Sequence, residues 1–127
     1  MKVRIHANSI RVRLTQSEVS RVAGGGRVEQ TTSFSPLEKL LSRVECSPQV
    51  RKPVATFGNQ SLTILLPSVE ARQWAQSEQI GIEADQPIGD GTFLRLIVEK
   101  DLECLQPRAE ETADAFPPPR RSADSSD

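Results

Sequence analysis

The sequence predicts an α+β fold, mainly antiparallel β, in which a duplicated ββαββ unit with two short helices builds a small barrel or sandwich. Three observations carry this. Most ordered-looking segments alternate apolar and polar residues with a period of two, as half-buried strands do. Two segments carry helical spacing behind a capping residue, and each follows a pair of strands. Finally, laying the chain over itself at an offset of 52 residues brings the first half onto the second. Ser9 then falls on Ser61, Ile10 on Leu62, Leu14 on Leu66, Glu18 on Glu70, Val22 on Trp74 and Val28 on Ile80.

Residues 2–7 place Val3 and Ile5 on one face and Lys2, Arg4 and His6 on the other. From Ser9 the alternation resumes in the opposite phase, with Ile10, Val12 and Leu14 inside and Arg11 and Arg13 outside, so a turn or bulge is required at Asn8-Ser9. A hairpin turning there would set Ile5 against Val12 and Arg4 against Arg13. Thr15-Gln16-Ser17-Glu18 reads as a capping box, with Leu14 and Val19 spaced as a hydrophobic staple. Val19, Val22 and Ala23 make an apolar stripe and Gly24 a left-handed stop, which predicts a helix over 16–23.

Strand-like runs follow at 27–34, 39–46, 53–57 and 61–66. Leu37, Leu40, Leu41 and Val44 also fit a helix after Pro36, and strand is the preferred reading. Ser68 is placed to cap a second helix over 69–77, with Val69, Ala71, Trp74 and Ala75 towards the core. Strands over 79–84 and 92–100, linked by a loop at 87–91, close the domain. Residues 93–98 are apolar on both faces, as a central strand is. One β-rich domain over 1–106 is expected, with repeats over 2–46 and 53–100. Residues 107–127 are rich in Pro, Ser and charge, with Phe116 their one large apolar group, and are expected to be disordered. Within them 115–121 reads either as an extended recognition peptide or as a plain solvated tail.

Many chemistries drop out. No run approaches the roughly 20 apolar residues of a membrane span, and Met1 to His6 alternates charge with apolar groups where a secretion signal has a hydrophobic core. A soluble, cytoplasmic protein with no membrane association is expected. Cys46 and Cys104 stand far apart and His6 is the only histidine, so zinc lacks ligands, both thiols read as buried structural groups, and no metal or cofactor is expected. Gly24-Gly25-Gly26 follows a helix where a phosphate-binding loop would precede one. Gly89-Asp90-Gly91 lacks the further carboxylates of a calcium loop. No strained elbow presents a serine, and His6 has no carboxylate fixed beside it. With no Tyr, four Phe and one Trp, the chain lacks the stacking platform of nucleic-acid binders.

Charge supplies the candidate site. The net charge is −1, yet residues 1–57 carry ten basic and four acidic groups, net +6, whereas 58–107 carry three basic and eight acidic groups, net −5. Arg4, Arg11 and Arg13, with Lys2 and His6 nearby, would gather donors that suit phosphate or carboxylate on one hairpin face. The corresponding second-half positions, Thr56, Thr63 and Leu65, are uncharged. Glu83, Glu99 and Lys100 complete the candidate binding set, and no residue is assigned a catalytic role. In the competing reading the arginines only pair with Glu83, Glu99, Asp101 or Glu29 on neighbouring strands. The preferred function is a non-enzymatic domain that binds a protein partner or a small anion. The alternative is a small enzyme with an arginine clamp and Glu83 or Glu99 as general base.

Two stretches, Asn8-Ser9-Ile10-Arg11-Val12-Arg13-Leu14 running into Thr15-Gln16-Ser17-Glu18-Val19, and Val98-Glu99-Lys100-Asp101-Leu102-Glu103-Cys104-Leu105, are joined by the later Ala113-Asp114-Ala115-Phe116-Pro117. Together they resemble an uncharacterised family of short bacterial proteins. The resemblance implies a bacterial source and marks Arg11, Arg13, Glu18, Glu99, Lys100 and Asp101 as positions of interest, with no activity attached.

Overall fold

Each half of the chain runs strand, strand, helix, strand, strand. In the computed structural model, which describes residues 1–102, 114–117 and 119, the first half comprises β1 (Lys2–His6), β2 (Ser9–Leu14), α1 (Gln16–Ala23), β3 (Arg27–Ser33) and β4 (Lys39–Ser47). The second comprises β5 (Val54–Gly58), β6 (Ser61–Pro67), α2 (Ser68–Gln76), β7 (Gly81–Gly89) and β8 (Thr92–Lys100). The expected disorder over 107–127 falls largely outside the described residues, as does Cys104.

The halves exchange hairpins. One sheet has the order β1-β2-β8-β7 and the other β3-β4-β6-β5, so each takes one hairpin from each half. Within a hairpin the pairing is antiparallel, and at the centre β2 runs parallel to β8 and β4 parallel to β6. The inner faces pack together as a sandwich, and the sheets do not close into the barrel that was the other expectation. Helices and β2 and β6 meet at one end, where Leu14, Val22, Leu66 and Trp74 are fully buried. The Trp74 indole donates to the Ile80 carbonyl at 2.8 Å, so the ring is buried with its one donor satisfied.

The two halves correspond in register. Lys2 opposite Arg13 matches Val54 opposite Leu65, an offset of 52, whereas Arg27 opposite Glu45 matches Gly81 opposite Glu99, an offset of 54. The second helix and the link after it are together two residues longer. Val28 therefore corresponds to Ile82, and both are buried, rather than to Ile80, which is exposed. The turns match as well. The Asn8 side chain donates to the Phe93 carbonyl at 2.6 Å, and the Gln60 side chain accepts from the Lys39 amide at 2.8 Å.

Several local expectations are corrected. The first turn is Ala7-Asn8, one residue earlier than expected, with Ala7 at φ 49, and moving a two-residue turn by one shifts every partner by two, so Ile5 pairs with Ile10 and Arg4 with Arg11. Segment 39–47 is a strand, decided by pairing with β3 on one side and β6 on the other. β7 runs on through Pro87 to Gly89, since an edge strand tolerates a residue without an amide donor and a register shift falls there. Gly24 has φ −82, and the left-handed residue is Gly25 at φ 96. Pro67 rather than Ser68 is the N-cap of α2, with no side-chain cap, Ser68 being the first helical residue, and Val69 is exposed. Cys46 is half-buried, its thiol donating to the Val22 carbonyl at 3.2 Å. β8 lies between β2 and β7, central as expected, although its outer face carries Arg95 and Glu99 beside Ile97.

Candidate anion-binding face of the first sheet

Because Ile10, Val12 and Leu14 point into the core, the residues between them point out, and pairing extends that outer face over four strands. Lys2, Arg13, Glu99 and Gly81 form one row across it. Arg4, Arg11, Ile97 and Glu83 form the next, and His6, Ser9, Arg95 and Asp85 the third. The three predicted arginines are thus brought together on β1 and β2, with Glu99 and Glu83 on the neighbouring strands.

Glu99 is the centre of this face. The residue is 5% exposed although its side chain points away from the core, because Arg11 and Arg13 lie over it. Arg13 Nε donates to Glu99 Oε2 at 3.2 Å, and Arg11 Nε stands 3.7 Å from Oε1, so each carboxylate oxygen faces one guanidinium. Arg4, Arg13 and Glu99 make further interactions beyond these. On the far side Gly81 lies across from Glu99, where a Cβ would come within 3.1 Å of the Glu99 Cβ. Lys2 reaches past the row to Asp101 at 3.1 Å.

The other members divide differently. Arg95 is held by Asp85 at 3.3 Å and by Glu83, so the acidic residues of β7 face their own neighbour and not the arginines of β2. Lys100 leaves the face altogether. Its ammonium donates to the Ser77 carbonyl at 2.7 Å and it lines a separate cavity of about 380 Å³ between α1, α2 and the end of β8. A shallow open hollow of about 450 Å³ lies over Lys2, Val3, Arg4, Arg11 and Arg13. The cations therefore concentrate on the β1–β2 side and the carboxylates on the β7 side.

Sequence reasoning overlooked Arg95 and Gly81, and treated Glu99 as one of several acids. The signal was present at an offset of 54 after the helices, which sets Glu29 on Glu83, Glu45 on Glu99 and Val44 on Val98. In the second sheet the row through Glu45 reads Val54, Leu65, Glu45 and Arg27, without the arginine pair.

Among the described residues no group of three or more His, Cys, Asp or Glu is placed to hold a metal ion, and no helix is long and apolar enough to cross a membrane. Neither a curated protein nor a solved structure matches the chain. One family model does match it, over residues 1–120, a span that takes in both hairpins of the basic face and both helices, so the chain belongs to a family of unknown function (DUF7009).

Proposed function

We propose that the β1–β2 side of this face recognises an anion, a phosphate or carboxylate group, and that the chain is a non-enzymatic cytoplasmic domain binding a protein or small molecule that carries it. The observation that supports this reading is the shared buried carboxylate. Glu99 holds Arg11 and Arg13 side by side, and guanidiniums already oriented lose less freedom when they take a ligand. Lys2 and Arg4 flank them around the open hollow. If the halves are copies of one unit, the cluster is present in one copy only, since the second sheet has Glu45 but Thr56, Thr63 and Leu65 at the arginine positions. The enzymatic alternative is less well served. Glu99 is occupied with two arginines, Glu83 pairs with Arg95, and both sit on an outer sheet face rather than inside a closed barrel.

The test is calorimetric titration with pyrophosphate and, separately, with an acidic phosphopeptide, which distinguishes a small-molecule from a protein source. A Lys2→Ser/Arg4→Ser variant leaves the Glu99 pairs in place. It should weaken binding about tenfold, the loss of one charge-assisted contact. Its Tm should stay within roughly 3 °C of the unaltered chain, as for a surface change. Arg11→Ser/Arg13→Ser should abolish binding and also cost about 1 to 3 kcal/mol by stranding the Glu99 carboxylate, a cost that adding Glu99→Gln should largely relieve. Unchanged binding in both arginine variants, with stability lost only in the second, would assign the arginines to the fold alone.

A further inference from the structure

The sandwich is closed at one end and open at the other. Helices seal the end at Leu14 and Leu66. At the opposite end stand all four hairpin turns, since β2, β4, β6 and β8 all begin there and run towards the helices. The inner faces part at this open end around an apolar cavity of about 220 Å³, lined by Ile5, Ile10, Leu40, Phe57, Leu62 and Leu94. These are three corresponding pairs from the two halves, Ile5 with Phe57, Ile10 with Leu62 and Leu40 with Leu94. Ile5 and Phe57 form its exposed rim.

Beyond the rim the longer hairpins, β3–β4 and β7–β8, carry Phe34 and Leu37 at one tip and Ile88 at the other, while Phe93 lies on the outer face of β8 with Arg95. Phe34, Leu37 and Ile88 with Ile5 and Phe57 make five large apolar residues between 51% and 86% exposed. At roughly 150 to 250 Å² for a whole large apolar residue, they present roughly 500 to 850 Å² of surface. The largest apolar patch on a monomer is ordinarily about 300 to 600 Å². A partner in a stable complex contributes about 800 Å². The exposed area therefore fits an interface better than a solvated end.

We infer that the open end is a self-association surface, on which a second copy of the chain docks end to end about a two-fold axis. A projecting knob and a receiving hole occur on this one surface. Leu37, 86% exposed, stands on a turn held by Phe34 N donating to Glu38 O at 2.8 Å and Glu38 N donating to Ser35 Oγ at 3.1 Å, with Pro36 between. The cavity beside Phe57 is apolar and open. An isologous contact requires that residue i of one copy meet residue j of the other and the reverse, and a turn that enters its partner's cavity satisfies this twice. This surface lies at the sandwich end, away from the hollow over Arg11 and Arg13, so it is independent of the anion proposal.

Sedimentation equilibrium of the full chain, from micromolar to millimolar concentration, tests it. The unaltered chain and Lys2→Ser/Arg4→Ser should both dimerise. Leu37→Ser and Phe57→Ser, each at an exposed position, should weaken the dimer at least tenfold while keeping the circular dichroism spectrum and Tm. A chain that stays monomeric throughout overturns the inference, and binding of an apolar dye by such a monomer would assign the open end to a different occupant. A dimer equally tight in Leu37→Ser and Phe57→Ser also overturns it, by placing the contact elsewhere.

Discussion

Glu18 shows how much of a residue's role is readable locally. Its carboxylate accepts from the Thr15 amide at 2.9 Å while Thr15 Oγ1 accepts from the Glu18 amide at 3.4 Å, the reciprocal capping box that four consecutive residues announce. Its second partner is not announced. The Met1 ammonium donates to Glu18 Oε2 at 2.8 Å, a contact made because β1 returns beside the start of α1. Burial alone would raise the pKa of this carboxyl. The hydrogen bond from the ammonium, the Thr15 amide, the ammonium's charge and the Thr15 hydroxyl together outweigh it, and the pKa lies below the ordinary carboxylate value. A folded-state pKa below the unfolded one means that Glu18 adds stability above the unfolded pKa and that this is lost as pH falls through the folded value. Urea unfolding at stepped pH should therefore find Glu18→Gln less stable than the unaltered chain at neutral pH, with the gap closing in the acid range. A constant gap would locate the effect in shape and not in charge. Glu99 lies at the other extreme of legibility, since the arginines that bury it are 86 and 88 residues away in the chain.

At the level of elements, one side chain fastens an edge. β5 and β7 are edge strands of different sheets, and Gln86 of β7 spans the seam between them. Its Oε1 accepts from Ala55 N at 2.7 Å and its Nε2 donates to Ala55 O at 3.0 Å, so the amide pairs with β5 as a strand residue would. This satisfies backbone groups that would otherwise be an open edge. Gln86→Ala should cost about 1 to 2 kcal/mol for two hydrogen bonds at a partly buried site, measured by urea unfolding, and should speed hydrogen exchange at Ala55. A neutral result would mean that the seam is held by apolar packing. Period-two alternation showed that strands exist here, but it ended the seventh at Ala84, five residues early. Proline and glycine read as loop because the sequence does not say that this strand lies at an edge, where both are tolerated.

For the whole molecule, the exchange of hairpins sets both charge and cooperativity. The basic first half and the acidic second half meet inside the first sheet, where Arg11 and Arg13 pair with Glu99 and Lys2 with Asp101, all three contacts of one half with the other. The same exchange means that neither half owns a sheet, because both central strand pairs, β2 with β8 and β4 with β6, join the halves. Fragments cut between Lys52 and Pro53 should each be unfolded by circular dichroism and should recover the native spectrum on mixing. A first-half fragment that folds alone as a monomer would contradict this topology. By itself the sequence determined the fold class, the strand and helix periods, the capping box and the side of β2 on which the arginines stand, because spacing along a few residues is enough to settle those. Which strands are neighbours, that the sandwich stays open, that Glu99 is buried under two arginines and that Lys100 leaves the face were decided only by the tertiary structure. Each of these depends on contacts that the spacing of neighbouring residues cannot show, 86 residues apart for β2 with β8, 20 for β4 with β6 and 23 from Lys100 to Ser77, and the two-residue lengthening of the second half hid the correspondence of the halves from an ungapped comparison.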